Sequence, residues 1–178
     1  MALLTDELRS WIGRTASYPA REELGRASIR YFALALGDEN PLYSDDAYAQ
    51  SAGYRTVIAP PTLVCETCQY AHQRPNANGY IGHEWDLPIE GVRLIRVGHE
   101  YEFTRPVYPD DRISVTWTLA DIVERSSKRG GTQLYVTSVA VYANQDGERL
   151  ATNRETVVLQ PLEPGRGSPA EADPEGAP

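Results

Sequence analysis

The second half of the chain carries four long segments with the composition of β-strands. They read HEYEFTRPV, DRISVTWTLADIV, QLYVTSVAVYAN and ERLATNRETVVLQ, and all are rich in valine, isoleucine, threonine and aromatic residues. Short turns such as 144–148 (NQDGE) separate them and leave no room for crossover helices. Strands joined by such short connections pair in antiparallel fashion. The sequence therefore predicts that a long antiparallel sheet dominates the fold.

The first 75 residues carry helical signals instead. Ala27–Leu36 is apolar at helical spacing and stops at Gly37, a favourable C-terminal cap. Ser44-Asp45-Asp46 can cap a short helix that runs to Gly53. Pro60-Pro61-Thr62 then opens a third helix through LVCETCQYAH, whose apolar and small residues cover much of its circumference. Together these signals predict an α+β fold in which one buried helix packs on a long, curved antiparallel sheet.

Length and charge limit the possible classes of protein. At 178 residues the chain suits one domain, which we place at residues 1–162. Residues 163–178 contain no large apolar side chain and are predicted to be a disordered tail. The net charge of −8 argues against binding to nucleic acid. No apolar run has the length of a membrane span, and the acidic start does not resemble a signal peptide. We therefore expect a cytoplasmic protein.

The stretch GDENPLY, at residues 37–43, combines an acid, an amide and a proline. Taken alone, it is good turn chemistry, because Asp38 and Asn40 can accept hydrogen bonds from nearby backbone and Pro41 fixes its own φ. An acid and an amide two residues apart are also typical of a site that orients water or substrate. The residues by themselves leave both interpretations open.

Taken with its surroundings, this stretch resembles the MaoC-like dehydratases and (R)-specific enoyl hydratases, in particular their N-terminal dehydratase-type domain. The resemblance covers roughly residues 10–160. It rests on 31–43 (YFALALGDENPLY), 49–62 (AQSAGYRTVIAPPT), 100–111 (EYEFTRPVYPDD) and the closing strands. It implies a single hot-dog fold, in which a curved antiparallel sheet wraps a central helix and two such units pair side by side. It also implies an acyl thioester ligand, carried on CoA or on acyl carrier protein.

The resemblance gives the residues of the motif candidate roles. In catalytic members the loop resembles Gly-Asp-x-Asn-Pro-x-His, and the acid and histidine add water to an enoyl thioester or remove it from an (R)-3-hydroxyacyl thioester. Asp38 occupies the position of the acid, Asn40 that of the orienting amide, and Tyr43 that of the histidine. A phenol with a pKa of about 10 is neutral at pH 7 and is a poor general base. The acidic surroundings of Tyr43 are expected to raise its pKa further.

A second departure lies before the predicted central helix. Catalytic relatives resemble Ile-x-His-Gly there, and the glycine N–H polarises the thioester carbonyl. This chain has Pro61 at the glycine position, and proline has no N–H, so Thr62 is the next candidate donor. Arg93, Arg96 and Arg105 are either partners for the phosphates of CoA or of the carrier protein, or solvated charges of the strands, and we assign Arg93 and Arg96 to substrate binding.

The remaining candidate groups are interpreted as structural. Cys65 and Cys68 form a Cys-x-x-Cys pattern, but no second pair of ligands accompanies it, so we expect packing rather than a metal site. The chain's histidines, at positions 72, 83 and 99, lie outside the motif and are expected to be surface or packed residues. No cofactor is expected.

These features favour a chain that forms one half of an acyl-thioester dehydratase or hydratase of fatty acid or polyketide metabolism. We expect it to hold substrate and to form a homodimer, or a heterodimer with a catalytic MaoC-like subunit. A self-sufficient enzyme that uses Asp38, with Tyr43 replacing histidine, is the first alternative. A non-enzymatic acyl-thioester-binding or assembly domain is the second.

Overall fold

The computed structural model describes residues 2–65, 68–70, 73–76, 79–127 and 131–162, without the side chains of Cys68 and Ser127. The predicted disordered tail at residues 163–178 lies outside the described residues. The elements in chain order are α1 (Asp6–Arg9), β1 (Thr15–Pro19), α2 (Arg26–Leu36), the 3-10 helix η1 (Pro41–Tyr43), α3 (Asp46–Ser51), the 3-10 helices η2 (Pro61–Cys65) and η3 (Cys68–Tyr70), β2 (Val92–Phe103), β3 (Ser114–Ser127), β4 (Gly131–Ala143) and β5 (Arg149–Pro161).

The five strands form one antiparallel sheet in the order β1-β3-β4-β5-β2. The predicted α+β class and the antiparallel sheet are therefore confirmed. Two features differ from expectation. Strand β2 begins at Val92 rather than at His99, and the edge strand β1 was not predicted. Both regions contain glycine, proline or charged residues that weaken the strand signal in the sequence.

Strand β4 shows which face of the sheet is covered. Leu134, Val136, Ser138, Ala140 and Tyr142 are all buried, whereas the residues between them are more exposed. This alternation places one face against the core, as expected for a half-buried strand. The partners of these residues on β3 and β5 lie on the same inner face, because paired residues in an antiparallel sheet share a side.

The first two predicted helices are confirmed. Helix α2 ends at Gly37, whose φ of 66° is left-handed and suits a residue without Cβ. The side chain of Asp45 accepts hydrogen bonds from the N–H groups of Ala47 and Tyr48 at the start of α3. Within the described part of the chain, no helix has the length and apolar composition needed to cross a membrane.

The third predicted helix is wrong in type. In place of one α-helix, the described residues form the 3-10 helices η2 and η3. The side chain of Gln69 supplies a local reason, because its Nε2 donates to the carbonyl of Val64 at 3.2 Å. In a continuous α-helix that carbonyl would instead accept the N–H four residues later.

The inner face of the sheet carries two clusters of buried apolar residues. The larger one joins α2 and η2 to the middle of the sheet through residues such as Ile29, Val64 and Tyr142. The smaller one packs Leu8 of α1 against Leu134 and neighbouring residues at the far end of the strands. Partly buried Trp85 packs against both clusters, and its indole N–H donates to Ser138 Oγ at 2.9 Å.

His83 is a buried histidine enclosed by aromatic rings. Its ring centroid lies 4.2 Å from that of Trp85 and 5.1 Å from that of Trp117, and its Nδ1 lies 2.8 Å from the hydroxyl of Tyr18. Its Nε2 has no hydrogen-bond partner among the described residues. Burial lowers the pKa of His83 to about 4, although nearby Asp86 opposes this shift. His83 is therefore a neutral packing residue at pH 7.

The lowered pKa of His83 predicts destabilisation in mild acid. Between pH 6.5 and pH 4 the unfolded chain binds a proton at this residue and the folded chain does not, so the free energy of unfolding should fall as pH falls through this window. The loss should be of order 2 kcal/mol by pH 4. Urea unfolding at several pH values should show a shallower pH slope for His83→Phe than for the parent chain.

The matched control for this measurement is Tyr18→Phe. It removes the hydroxyl beside the imidazole but leaves the ring buried, so the pH slope should persist. Parallel slopes for the parent chain and His83→Phe would show that His83 does not limit stability in acid.

Candidate functional site

The GDENPLY loop connects the end of α2 to η1. Asp38 Oδ1 accepts a hydrogen bond from the Asn40 N–H at 3.0 Å, and Asn40 Oδ1 accepts one from the Leu42 N–H at 3.1 Å. These are the turn contacts expected from the sequence, and Asn40 acts as the N-cap of η1. Asp38 is exposed, whereas Asn40 and Tyr43 are half-buried. The loop therefore presents the acid and the phenol from one short, hydrogen-bonded turn.

The electrostatics of Tyr43 disfavour ionisation. Burial raises the pKa of the Tyr43 phenol, and the negative charge of Asp38 raises it further. A hydrogen bond from the side chain of Asn40 offsets part of this increase. Tyr43 is therefore a neutral hydroxyl near pH 7, able to donate or accept a hydrogen bond but unable to take a proton as histidine does.

A groove of about 260 Å³ lies beside this loop. The Ile58 N–H donates to the carbonyl of Leu42 at 3.0 Å, which joins the segment before η2 to the loop. Both Ile58 and Pro61 line the groove, together with Tyr54, whose phenol interacts electrostatically with Tyr43. The sequence-predicted motif and the predicted oxyanion position are thus neighbours in the fold.

The start of η2 has few backbone N–H groups that are free to donate a hydrogen bond. Pro61 has no N–H, and the N–H of Leu63 already donates to the carbonyl of Pro60 at 3.0 Å. Thr62, which is exposed, lies between them. Arg105 also lines the groove, where its guanidinium pairs with the carboxylate of Glu148.

An ion-pair network anchors the segment that leads into the groove. Arg26 of α2 binds Asp46 at 3.0 Å and Thr56 Oγ1 at 2.6 Å, and Asp46 accepts hydrogen bonds from both Thr56 and the Val57 N–H. Hydrogen bonds from Thr56 and Arg26 lower the pKa of Asp46 to about 2. Asp46 is therefore ionised at pH 7 and ties α2 and α3 to residues 56–57.

A larger cavity of about 670 Å³ lies against the inner face of β2 and β5. Leu63 and Cys65 of η2 form part of its wall, with Trp117 on the sheet opposite. Cys65 is buried, which agrees with the predicted packing role, whereas the side chain of Cys68 lies outside the described residues. In the described part of the chain, no three His, Cys, Asp or Glu residues group closely enough to hold a metal ion.

A polar cluster, made of Arg96, His99, Asn153 and Glu155, lines one side of this cavity. Glu155 Oε1 lies 3.1 Å from Arg96 Nε and 3.7 Å from His99 Nε2. His99 Nδ1 lies 3.2 Å from Asn153 Nδ2 and 3.4 Å from the Tyr101 hydroxyl. Asn153 and Glu155 are buried, whereas Arg96 and His99 are exposed towards the cavity side.

A β-bulge explains how this cluster forms. Arg96 and His99 are three residues apart, so a regular strand would place them on opposite faces. The pairing of β2 with β5 shifts between Arg96 and Gly98, and Val97 is left without a partner in the ladder. The extra residue turns both charged side chains towards Glu155 on the inner face.

The structure separates the sequence-predicted site residues into three places. Asp38, Asn40 and Tyr43 lie in the loop, and Pro61 lies in the groove beside them. Arg96 lines the larger cavity. Arg93 lies on the outer face, where its guanidinium binds Gln160 Oε1 at 2.9 and 2.6 Å, so the geometry does not bring it to the other candidates.

Apart from Arg96, the polar residues of the cavity were missed by sequence reasoning. A signal was present, because Asn153 and Glu155 occupy the same alternating positions of β5 as the buried Ala151 and Leu159. Polar side chains in the apolar phase of a strand require partners inside the fold. His99 could not be assigned in this way, because the bulge interrupts the alternation of β2.

Comparison with known proteins places the chain in a family. Residues 10–153 match the family described as FAS1-like, dehydratase domain region. The chain belongs to this MaoC-like hot-dog dehydratase family. A UPF0336 protein of Streptomyces avermitilis is 38% identical over 116 residues, which cover 64% of this chain and 72% of the relative.

Two further comparisons extend the likeness over most of the chain. A probable enoyl-CoA hydratase alpha subunit of Thermomonospora curvata is 31% identical over 156 residues, which cover 83% of this chain and 49% of that relative. The chain thus matches about half the length of that protein. The solved ChsH1-ChsH2 complex of Mycobacterium tuberculosis contains a chain with a TM-score of 0.67 and 22% identity, covering 90% of this chain and 89% of that one. This likeness supports the hot-dog fold.

The loop geometry predicts a structural role for Asn40 that is separable from chemistry. Asn40→Ala removes the acceptor of the Leu42 N–H at the start of η1 and should lower the free energy of unfolding by about 1 kcal/mol. Glu39→Ala, an exposed neighbour in the same loop, should change it by less than about 0.5 kcal/mol. Urea denaturation of both variants tests this, and equal stabilities would show that the cap contributes little.

Proposed function

We propose that this chain is the substrate-holding subunit of an (R)-specific 3-hydroxyacyl-thioester dehydratase or enoyl-thioester hydratase. The thioester would be carried on CoA or on acyl carrier protein. A MaoC-like partner with an intact acid and histidine would perform the proton transfers.

The observation that carries this proposal is Tyr43 at the position of the histidine. Addition of water to an enoyl thioester requires a group that accepts a proton and returns it within one turnover. Burial and the charge of Asp38 hold the pKa of Tyr43 above its ordinary value, so it remains protonated at the pH of the cell. The same property disfavours a self-sufficient enzyme in which Tyr43 takes the place of histidine.

The start of η2 supports the same conclusion. A thioester carbonyl gains negative charge during the reaction and needs N–H donors aimed at it. Pro61 has no N–H, and the Leu63 N–H already donates to the carbonyl of Pro60. Of the first three residues of η2, only Thr62 then has an N–H that could face the thioester carbonyl. The groove can still hold a thioester by contact without stabilising the charge that develops on it.

The surface of the chain favours a partner. Strand β2 lies at the edge of the sheet, is 12 residues long, and exposes Leu94, Val97, Tyr101 and Phe103. Helix α2 exposes Tyr31, Leu34 and Leu36. Long edge strands and contiguous apolar residues are usually covered by another chain. The relatives agree with this proposal, since one is named an alpha subunit and one solved neighbour is a complex of ChsH1 with ChsH2.

The proposal is tested by hydration of crotonyl-CoA and of a longer enoyl-CoA. The chain alone should show no turnover above the buffer rate, because it lacks the histidine of the motif. Turnover should appear when a MaoC-like protein with the intact acid and histidine is added. It should change by no more than about twofold when this chain carries Tyr43→Phe, since the phenol transfers no proton.

The control is replacement of the histidine in the partner, which should abolish turnover by the complex. Turnover by the chain alone that is lost in Asp38→Asn would overturn the proposal and favour the self-sufficient enzyme. Binding of acyl-CoA without turnover in any combination would instead favour a non-enzymatic acyl-binding domain.

A further inference from the structure

The larger cavity has a buried wall and an exposed mouth. Cys65, Trp117 and Tyr142 line it and are buried. Tyr80 and Ile81 also line it, but they are 36% and 44% exposed, and we call this exposed part of the lining the mouth. A residue that lies against both the cavity and the solvent is part of the boundary that a ligand crosses. Tyr80 therefore stands at the mouth of the cavity.

The backbone at Tyr80 is fixed, although it belongs to no helix or strand. The Asn76 N–H donates to the carbonyl of Tyr80 at 2.9 Å, and Asn76 Oδ1 accepts from the Tyr80 N–H at 2.9 Å. Asn76 Nδ2 also donates to Glu84 Oε2 at 3.0 Å. The phenol ring therefore projects from a backbone that is held in place. Rotation of the side chain is the motion that can move it.

Gly82 provides the seat of this ring. A Cβ atom at position 82 would overlap the Oη and Cζ atoms of Tyr80, so the ring can lie here only because this residue is glycine. Those atoms form the far end of a side chain that can rotate, so a larger residue would displace the ring rather than the backbone. Gly98 differs in this respect, because a Cβ atom there would meet no described atom within 4 Å.

Arg96 makes a second contact with the ring. Its guanidinium carbon lies 4.5 Å from the centre of the Tyr80 ring, which is the range of a cation–π contact. Arg96 Nε is bonded in turn to Glu155 Oε1 at 3.1 Å, and Glu155 is a buried residue of the paired strand β5. The polar cluster thus ties the ring of Tyr80 to the sheet through one arginine.

The contact with Arg96 is strong enough to hold the ring and weak enough to release it. A cation–π contact at an exposed site shifts an equilibrium by about 2- to 5-fold. Tyr80 and Arg96 are both exposed, so this range applies to them. A ring that is held by such a contact leaves its seat for a sizeable fraction of the time.

We propose that the ring of Tyr80 is a gate at the mouth of the larger cavity, seated on Gly82 and held by Arg96. In its seat the ring admits narrow groups to the buried wall and excludes wide ones, which enter when the ring turns away. Tyr80 thus determines the width of ligand that the cavity accepts. The gate is independent of the proposed function, because it controls access to the cavity whichever ligand binds there.

Cys65 can report passage through the mouth, because it lies on the buried wall of the cavity. Cys68 is the other cysteine of the chain, so Cys68→Ser is present in every chain tested. Mass spectrometry measures the rates at which Cys65 reacts with methyl methanethiosulfonate, a small reagent, and with N-(1-pyrenyl)maleimide, a wide one. The ratio of the wide-reagent rate to the small-reagent rate reports the width of the mouth, whereas unfolding raises both rates together.

Tyr80→Ala should raise this ratio by about 3- to 6-fold, the inverse of the fraction of time for which such a contact leaves the mouth open. Gly82→Ala should also raise it, because the added Cβ unseats the ring. Arg96→Gln should raise it as well, because the cation is lost.

Two matched controls accompany these variants. Tyr80→Phe keeps a ring of the same width beside Arg96, and Gly98→Ala adds a methyl group where there is space for it. Both should leave the ratio of the two rates unchanged.

Three results would overturn the gate. The first is an unchanged ratio in Tyr80→Ala. The second is a rise in Tyr80→Phe equal to that in Tyr80→Ala, since the ring and not its hydroxyl closes the mouth. The third is failure of the wide reagent to reach Cys65 in every variant, because the ring of Tyr80 would then not be the barrier. None of these measurements involves turnover of a thioester, so the proposed function is tested separately.

Discussion

The pairing of β4 with β3 on one side and with β5 on the other determines what the inner face of the sheet contains. It sets Ala140 opposite both Trp117 and Asn153, and Ser138 opposite both Leu119 and Glu155. Ser138 and Ala140 of β4 have small side chains, so the larger side chains of β3 and β5 beside them project further from the sheet. A shift of one residue in this register would turn every inner side chain outward. The cavity, the core and the polar cluster all depend on this one alignment.

The β-bulge in β2 is the second constraint on the inner face of the sheet. It brings Arg96 and His99 to the same side as Glu155, inside a fold that otherwise has apolar residues there. Only the carboxylate of each pair is buried, because Glu155 is 8% exposed whereas Arg96 and His99 remain exposed. The cluster lines one side of the larger cavity.

Much of the fold was predictable from the sequence, because its signals are local. The four long strands, α2 with its cap at Gly37 and α3 with its cap at Asp45 follow from composition and spacing. The 3-10 type of η2 and η3 was not predictable, because the contact of Gln69 with Val64 depends on the tertiary position of this segment. The loop motif could be recognised because its residues are consecutive. Apart from Arg96, the polar cluster could not, because it joins two strands and depends on a bulge.

The two departures from the motif have one explanation if they affect the reacting atoms and leave the binding of substrate unchanged. Under the proposed function, Tyr43 and Pro61 stand in the places of a base and a donor that would act on the reacting atoms, whereas the groove and the cavity are present. Contacts with remote parts of a substrate still contribute to catalysis, because they offset the cost of orienting the reacting end. A subunit that binds the acyl group can thus raise kcat/KM for a reaction whose protons move in another chain. Under the proposed function, loss of the base leaves that contribution intact, since the walls of the groove do not require it.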